Sequence, residues 1–378
     1  MRKKIVRITT VPTSLRVLLK GQLRFVNDYY EVIAVSSSGA ELMEVKDNEG
    51  VRTFSVEMSR NISPFKDLVS IFKLYILLKR ERPYIIHSHT PKAGFVAMIA
   101  GYLAGVPHRL HTVAGLPLME VTGIKKNLLL SVEKLTYLLA TLVFPNSYGL
   151  KDYIIEKKLT SERKLRVLGN GSSNGIDLNY FRPTQSPESV NELKTRYELN
   201  GKFTFLFIGR IVGPKGINEL VSAFSDLNKE YKETILLLVG NFEEDLYPLS
   251  DLTRLQLQNP SIRVIGYQSD VRPFLEVADV FVFPSYREGF PNSVLQACAY
   301  NLPCIVTDIN GCNEIISDKV NGLLIPPKNV EELYSSMDML YLNEGLRREI
   351  SSGNRILVEE RFGQSNVWSN ILNMYNSL

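Results

Sequence analysis

The 378-residue chain has only three cysteines, four histidines and one tryptophan. Cys298, Cys304 and Cys312 are odd in number and lack CxxC spacing, which argues against a disulfide framework and a zinc site and points to a reduced compartment, the cytoplasm. No Asp-x-Asp occurs anywhere, so the usual carboxylate handle for a metal-bound diphosphate is missing. Long apolar runs are absent too. The most lipid-like stretch, residues 127–144, is broken by Glu133 and Lys134, and no integral membrane span is expected. The N-terminal MRKKIVRITTVP has neither a long apolar core nor a small-residue cleavage site, and it reads as a first strand. There is no block of one charge: 44 Lys and Arg against 40 Asp and Glu leave a net +4. That is far from the clustered positive charge of a nucleic-acid footprint and fits small anionic substrates or an anionic membrane surface. Low-complexity tracts and internal repeats are missing as well.

What is present is the composition of a soluble globular protein, 44% hydrophobic and 22% charged, in a chain long enough for two cores. Short apolar runs alternate with helical patterns, the signature of an α/β protein with parallel sheets covered on both faces. Candidate strands are 4–8, 32–35, 85–88, 109–113 and 142–145 in the first half. In the second half they are 204–208, 235–239, 263–265, 280–283 and 304–306. Pro91 opens a helix that stops at Gly105. The domains expected are 1–168 and 190–360, joined by a Gly-, Ser-, Asn- and Pro-rich linker at 169–189. Residues 361–378 carry Trp368, Ile371, Leu372 and Tyr375 at helical spacing, an amphipathic helix expected to pack back on the first domain.

In a parallel sheet the chemistry lies in loops beyond the carboxyl ends of the strands. The first such loop, within FLFIGRIVGPKGINEL at 205–220, carries Arg210 and Lys215 and leads into a helix near Gly216. Two cations beside a helix start are suited to a diphosphate. A lone Arg-x4-Lys is more often a solvated charged loop. A P-loop needs Ser or Thr after the Lys, and here Gly216 follows; no GxGxxG follows any strand. The second loop lies in residues 280–316: Glu288 can accept hydrogen bonds from sugar hydroxyls, Asn292 with Ser293 is placed to cap the next helix, and Gln296 stands about one turn into it. In the first half His87, His89 and His111 fall at strand ends. Without a carboxylate or thiol at supporting spacing they read as hydrogen-bonded structural histidines ahead of a metal site.

These loops resemble one known family. The run from Gly209 through Gly216 is similar to a G-R-x4-K-G phosphate loop, and the run from Glu288 through Ala297 to a Glu-x7-Glu element, the markers of the retaining GT-B glycosyltransferases of family 4; the resemblance covers most of the chain. It implies two doubly wound Rossmann-like domains facing an interdomain cleft. It also implies transfer of a hexose or N-acetylhexosamine from a UDP-sugar to a polyprenyl-diphosphate-linked glycan acceptor, with no cofactor and no metal. Arg210, Lys215 and Glu288 are then the catalytic residues. Gly209, Phe290, Pro291, Asn292, Ser293 and Val294 line the donor, Gln296 meets the ribose, and Gly266 and Tyr267 lie at the nucleobase. Thr10 and Ser14 in the 9–21 loop, with His89 and His111, fall on the acceptor side. Gln296 stands where the family has Glu, and Ala114 where it often has His. Both departures keep an inactive nucleotide-sugar-binding partner protein in view, and the two-domain architecture keeps a nucleotide-sugar epimerase. Residues 125–144, with Lys125, Lys126 and Lys134 beside a Leu-rich face, are either a core-packed helix or one lying on the inner face of a membrane.

Overall fold

The computed structural model describes residues 2–59, 63–116, 118, 123–243 and 247–378. The chain forms two compact units, Met1–Gly175 with Gln364–Leu378, and Ile176–Gly363. The first holds strands β1 (Lys4–Ile8), β2 (Glu31–Ser36), β3 (Arg52–Ser55), β4 (Ile85–Ser88), β5 (His108–Val113) and β6 (Leu142–Pro145). The second holds β7 (Phe203–Ile208), β8 (Thr234–Val239), β9 (Ile262–Gly266), β10 (Val280–Phe283), β11 (Cys304–Thr307) and β12 (Leu323–Ile325).

Each unit is one six-stranded parallel sheet. The orders are β3-β2-β1-β4-β5-β6 and β12-β11-β10-β7-β8-β9, so both sheets follow the same doubly wound order and reverse direction beside their first strand. The central strands are buried because helices cover both faces: KIVRI and TILLLV have no exposed position, and even Arg7 in the first is fully buried. β3 and β12 lie outside the expected strands. RTFS in β3 is a half-exposed sheet edge, and LLI in β12 is three residues long, so neither carries a period that sequence reading can detect.

Local chemistry explains the helix ends. Pro64 and Pro91 occupy first-turn positions of helices Pro64–Glu81 and Pro91–Ala104, where a missing N–H costs nothing. Gly105 closes the latter at φ 73°. Residues 9–21, expected as a loop, instead contain helix Pro12–Leu18, again opened by proline, before Gly21 turns the chain at φ 76° into helix Gln22–Asn27. The final helix, Gln364–Asn376, buries Val367, Ile371, Met374 and Tyr375 in the first unit. Its Tyr375 hydroxyl lies 2.6 Å from His87 Nδ1. The three cysteines are free and buried.

Candidate functional site

In the second unit the switch point lies between β7 and β10, and there the loops after both strands are pressed together. Gly216 caps helix Ile217–Glu230 at φ 73°, and a Cβ on it would stand 2.0 Å from the Pro284 carbonyl oxygen. Glycine is therefore required for the two loops to touch. The Tyr286 amide donates to Pro214 O at 2.9 Å. This contact brings Lys215, at the end of a 3-10 turn Gly213–Lys215, onto Glu288, with which it forms an ion pair at side-chain exposures of 17% and 13%. Ser285 Oγ donates to the same carboxylate oxygen, Glu288 Oε1, at 2.7 Å. The ammonium also stands 5.1 Å from the centre of the Phe283 ring. Asn310 Nδ2, from the loop after β11, bonds the Glu288 carbonyl. Burial and the nearby Glu288 charge push the Cys312 thiol well up, so it stays protonated beneath the pair.

The remaining residues of the switch point differ in character. Arg210 is exposed and paired with Glu243 at 2.7 Å. Gly209 continues the ladder, its amide on Val239 O at 3.0 Å. Gly240 N donates to Gly266 O at 3.0 Å, and the Tyr267 amide donates to Asn241 Oδ1 at 3.1 Å while its side chain is exposed. The helix beyond Glu288 runs from Asn292 to Ala299, and its N-cap is Pro291 with no side-chain cap. Asn292 and Ser293 therefore do not cap it: proline ahead of them occupies the capping position, and they fall in the first turn. The Val294 amide is taken by Pro291 O at 3.2 Å, and among the described residues no acceptor meets the Asn292 and Ser293 amides. Phe290, Pro291 and Val294 bury their side chains, Phe290 against Phe362 with ring centres 5.1 Å apart, so only their backbone faces the loop. Gln296 is half-buried one turn in. Sequence reading missed Asn310 and Asn241, both on loops after strands, where the strand-end rule alone would have pointed. It also missed Glu219, which accepts from the Tyr286 hydroxyl at 2.7 Å and carries no motif.

In the first unit the corresponding switch point joins Thr10 and Thr90, whose hydroxyls are 2.7 Å apart. Ser14 is half-buried in helix Pro12–Leu18, its amide on Val11 O at 3.0 Å. His111 is sealed between sheet and helix: Ser88 Oγ is 2.8 Å from its Nδ1, and a Cβ on Gly94 would meet its ring at 2.4 Å. His89 is buried against Arg7, whose Nε donates to His89 Nε2 at 3.0 Å. With Nε2 accepting from Arg7, Nδ1 of the neutral His89 ring carries the proton and has no hydrogen-bond partner among the described residues, and the residue lines a small cavity with His87, Thr112, Asn146, Ser172 and Ser173. Burial holds His87 and His89 well below the ordinary range and His111 at about 4, so all three are neutral. No group of three or more His, Cys, Asp or Glu among the described residues is arranged to hold a metal ion.

Two doubly wound sheets, one with a cation–carboxylate pair and an open helix start at its switch point, define a class of α/β proteins that grip phosphorylated ligands at strand ends. Comparison with known proteins narrows it. Residues 190–356 match the model of the glycosyl transferases group 1, and residues 23–171 that of the glycosyl transferase 4-like domain. The chain is 35% identical over 379 residues, 99% of its length and 97% of the relative's, to the capsular polysaccharide biosynthesis glycosyltransferase CapM of Staphylococcus aureus. It is 29% identical over 324 residues, 82% of its length and 80% of the relative's, to the UDP-Gal:alpha-D-GlcNAc-diphosphoundecaprenol alpha-1,3-galactosyltransferase of Escherichia coli. Among solved structures, HepE of Anabaena in complex with UDP has the same fold, with a TM-score of 0.82 at 18% identity and 100% of each chain covered. The chain belongs to the GT-B glycosyltransferases of family 4.

Proposed function

We propose that this glycosyltransferase moves a hexose or N-acetylhexosamine from a UDP-sugar to a polyprenyl-diphosphate-linked glycan, with retention of configuration and without a metal, at the cytoplasmic face of the membrane in surface-polysaccharide assembly. The observation that carries the reading is the Lys215–Glu288 pair beside an uncapped helix start. The capsular role of the S. aureus relative and the diphosphoundecaprenol-linked substrate of the E. coli relative support the acceptor class. The donor occupies the second unit. Lys215, Arg210 and the Asn292 and Ser293 amides stabilise charge that builds on the leaving diphosphate. Both side-chain contacts of Glu288 fall on Oε1, which leaves Oε2 to accept from a sugar hydroxyl. The bond from the anomeric carbon to the phosphate oxygen breaks. The bond to the acceptor oxygen forms on the same face, and the acceptor's proton passes to the departing phosphate.

The test is a panel of UDP-, GDP- and ADP-sugars scored for protection against thermal unfolding, followed by transfer to a lipid-linked acceptor with and without chelator. UDP-sugars protect, chelator leaves the rate unchanged, and the anomeric proton coupling of donor and product match. Protection by no sugar nucleotide, or an inverted product, overturns the reading. Gln296→Glu restores a ribose-gripping carboxylate and tightens UDP binding. A protein that stays inert even with this change is a binding partner only.

A further inference from the structure

Helix Pro64–Glu81 is apolar on two opposite faces. One face, with Ile71, Leu74, Leu77 and Leu78, is buried in the first unit. The other points away from the protein and exposes Phe65 (86%), Leu68, Val69, Phe72 (63%) and Ile76, at spacings that align them as one stripe. The helix contains two acids, and both are buried and paired, Asp67 with Lys92 at 2.6 Å and Glu81 with Arg52 at 3.0 Å. The charges on its outer surface are Lys66, Lys73, Lys79 and Arg80, the last of which also reaches Glu81 at 3.4 Å.

The same pattern continues sideways. Helix Pro64–Glu81 packs on helix Pro91–Ala104, which packs on helix Gly123–Leu139, because consecutive right-handed crossovers from β3 to β6 place all three on one face of the sheet. Pro91–Ala104 contains no acid and exposes Tyr102 and Leu103. Gly123–Leu139 exposes Ile124 and Leu138 beside Lys125 and Lys134, and its one acid, Glu133, is buried. All three acids of this helical layer thus point inward, while its outer surface is hydrocarbon and cationic. Such a surface exceeds the scattered apolar residues of an ordinary monomer.

We propose that this layer, led by the Phe65–Ile76 stripe, is the docking face for an anionic lipid bilayer. Side chains at this spacing reach below the headgroups while the flanking lysines meet the phosphates. A second copy of the chain is a poorer occupant: a two-fold contact through this face sets lysine against lysine, and the helices offer no exposed acid to offset it. The inference gives the lipid-linked acceptor reading its membrane address and rests on that reading for its purpose only, since vesicle binding requires neither donor nor acceptor.

The experiment is flotation of the full chain with vesicles of phosphatidylglycerol and phosphatidylcholine in equal parts, against phosphatidylcholine alone, with light scattering in parallel. The protein floats with the anionic vesicles at low salt and remains below with the neutral ones. Phe65→Ser with Phe72→Ser lowers partitioning roughly tenfold or more, and each of Lys66→Ala and Lys73→Ala lowers it roughly fivefold. These variants keep UDP-sugar protection and transfer to a short-chain water-soluble acceptor, which separates loss of docking from loss of fold or of the donor site. Failure of the parent protein to float, equal flotation on neutral vesicles, or no change in the phenylalanine variant overturns the proposal. So does a dimer that the same variant splits into monomers, which assigns the face to a second copy.

Discussion

Lys215 and Arg210 carry the same charge on one short loop but sit in different surroundings. Arg210 and its partner Glu243 are exposed at 48% and 42%, so water screens the pair. Arg210→Ala is expected to change stability by less than about 0.5 kcal/mol while weakening UDP-sugar binding roughly tenfold, read by thermal unfolding and by titration of the donor. Lys215→Ala strands Glu288 in a mostly buried position, costs about 1–3 kcal/mol and lowers turnover roughly a hundredfold or more. Adding Glu288→Ala should cost less than the two single changes summed, because they share one interaction. A Lys215→Ala protein with parental stability and rate would detach the pair from the chemistry. Gly216→Ala meets the Pro284 carbonyl at 2.0 Å and a φ of 73°. The loops must separate, with a loss of roughly 2 kcal/mol or more and of donor protection in the same thermal assay. That Lys215 and Glu288 both stand on loops after buried strands was legible from the apolar runs before them, but their pairing was not, because it depends on Gly216 letting the two loops touch. The cap of the next helix was not: Asn and Ser are the favoured capping types, and the proline before them takes the position without supplying a side-chain acceptor.

Most strands could be read from sequence because each is a short, mainly apolar run closed by a polar loop. β1, β4, β6 and β10 end where the pattern ends. The edge strands β3, half-solvated, and β12, three residues long, carry too little pattern to be read. Helix Pro64–Glu81 shows another limit, since periodicity reports an apolar face but not which of two such faces turns inward. Glu133 posed the same ambiguity in helix Gly123–Leu139, where it read as an interruption of a lipid-like stretch. Its burial raises the carboxyl to about 7. A folded-state value above the unfolded one means the folded protein holds the extra proton. Stability contributed by the protonated group is full below the ordinary carboxylate range and is lost as pH rises through about 7. The loss approaches about 3 kcal/mol. Glu133→Gln should therefore be more stable than the parent at pH 8 and gain little at pH 5, as chemical denaturation at the two pH values will show.

Across the whole molecule the acid limb is set by the opposite sign. His87, His89 and His111 are depressed by burial, so the unfolded chain binds protons that the folded chain refuses. Stability is then full above the ordinary histidine range and falls as pH drops below it. His111, at about 4, accounts for about 3 kcal/mol, which Glu133 offsets over much of the same interval. His87 and His89 tip the balance. Unfolding is expected to take up protons at pH 5 to 6, and the unfolding midpoint should fall steadily through that range. A flat midpoint from pH 7 to pH 5 would contradict the burial of these rings.

The two-sheet α/β class was legible from the alternation of runs, and the spacing of Trp368, Ile371, Leu372 and Tyr375 marked the last helix as amphipathic, while tertiary contacts set where it docks. Gln364–Leu378 completes the unit that residue 2 begins, with Trp368 Nε1 on Asn174 at 2.7 Å and Tyr375 on His87. During synthesis the unit that emerges first therefore cannot be completed until its last helix follows the whole of the second. Ile176–Gly363 is a continuous stretch that can close as soon as it leaves the ribosome. Until its last helix follows, the first unit lacks the side chains of Val367, Ile371, Met374 and Tyr375 that fill its core.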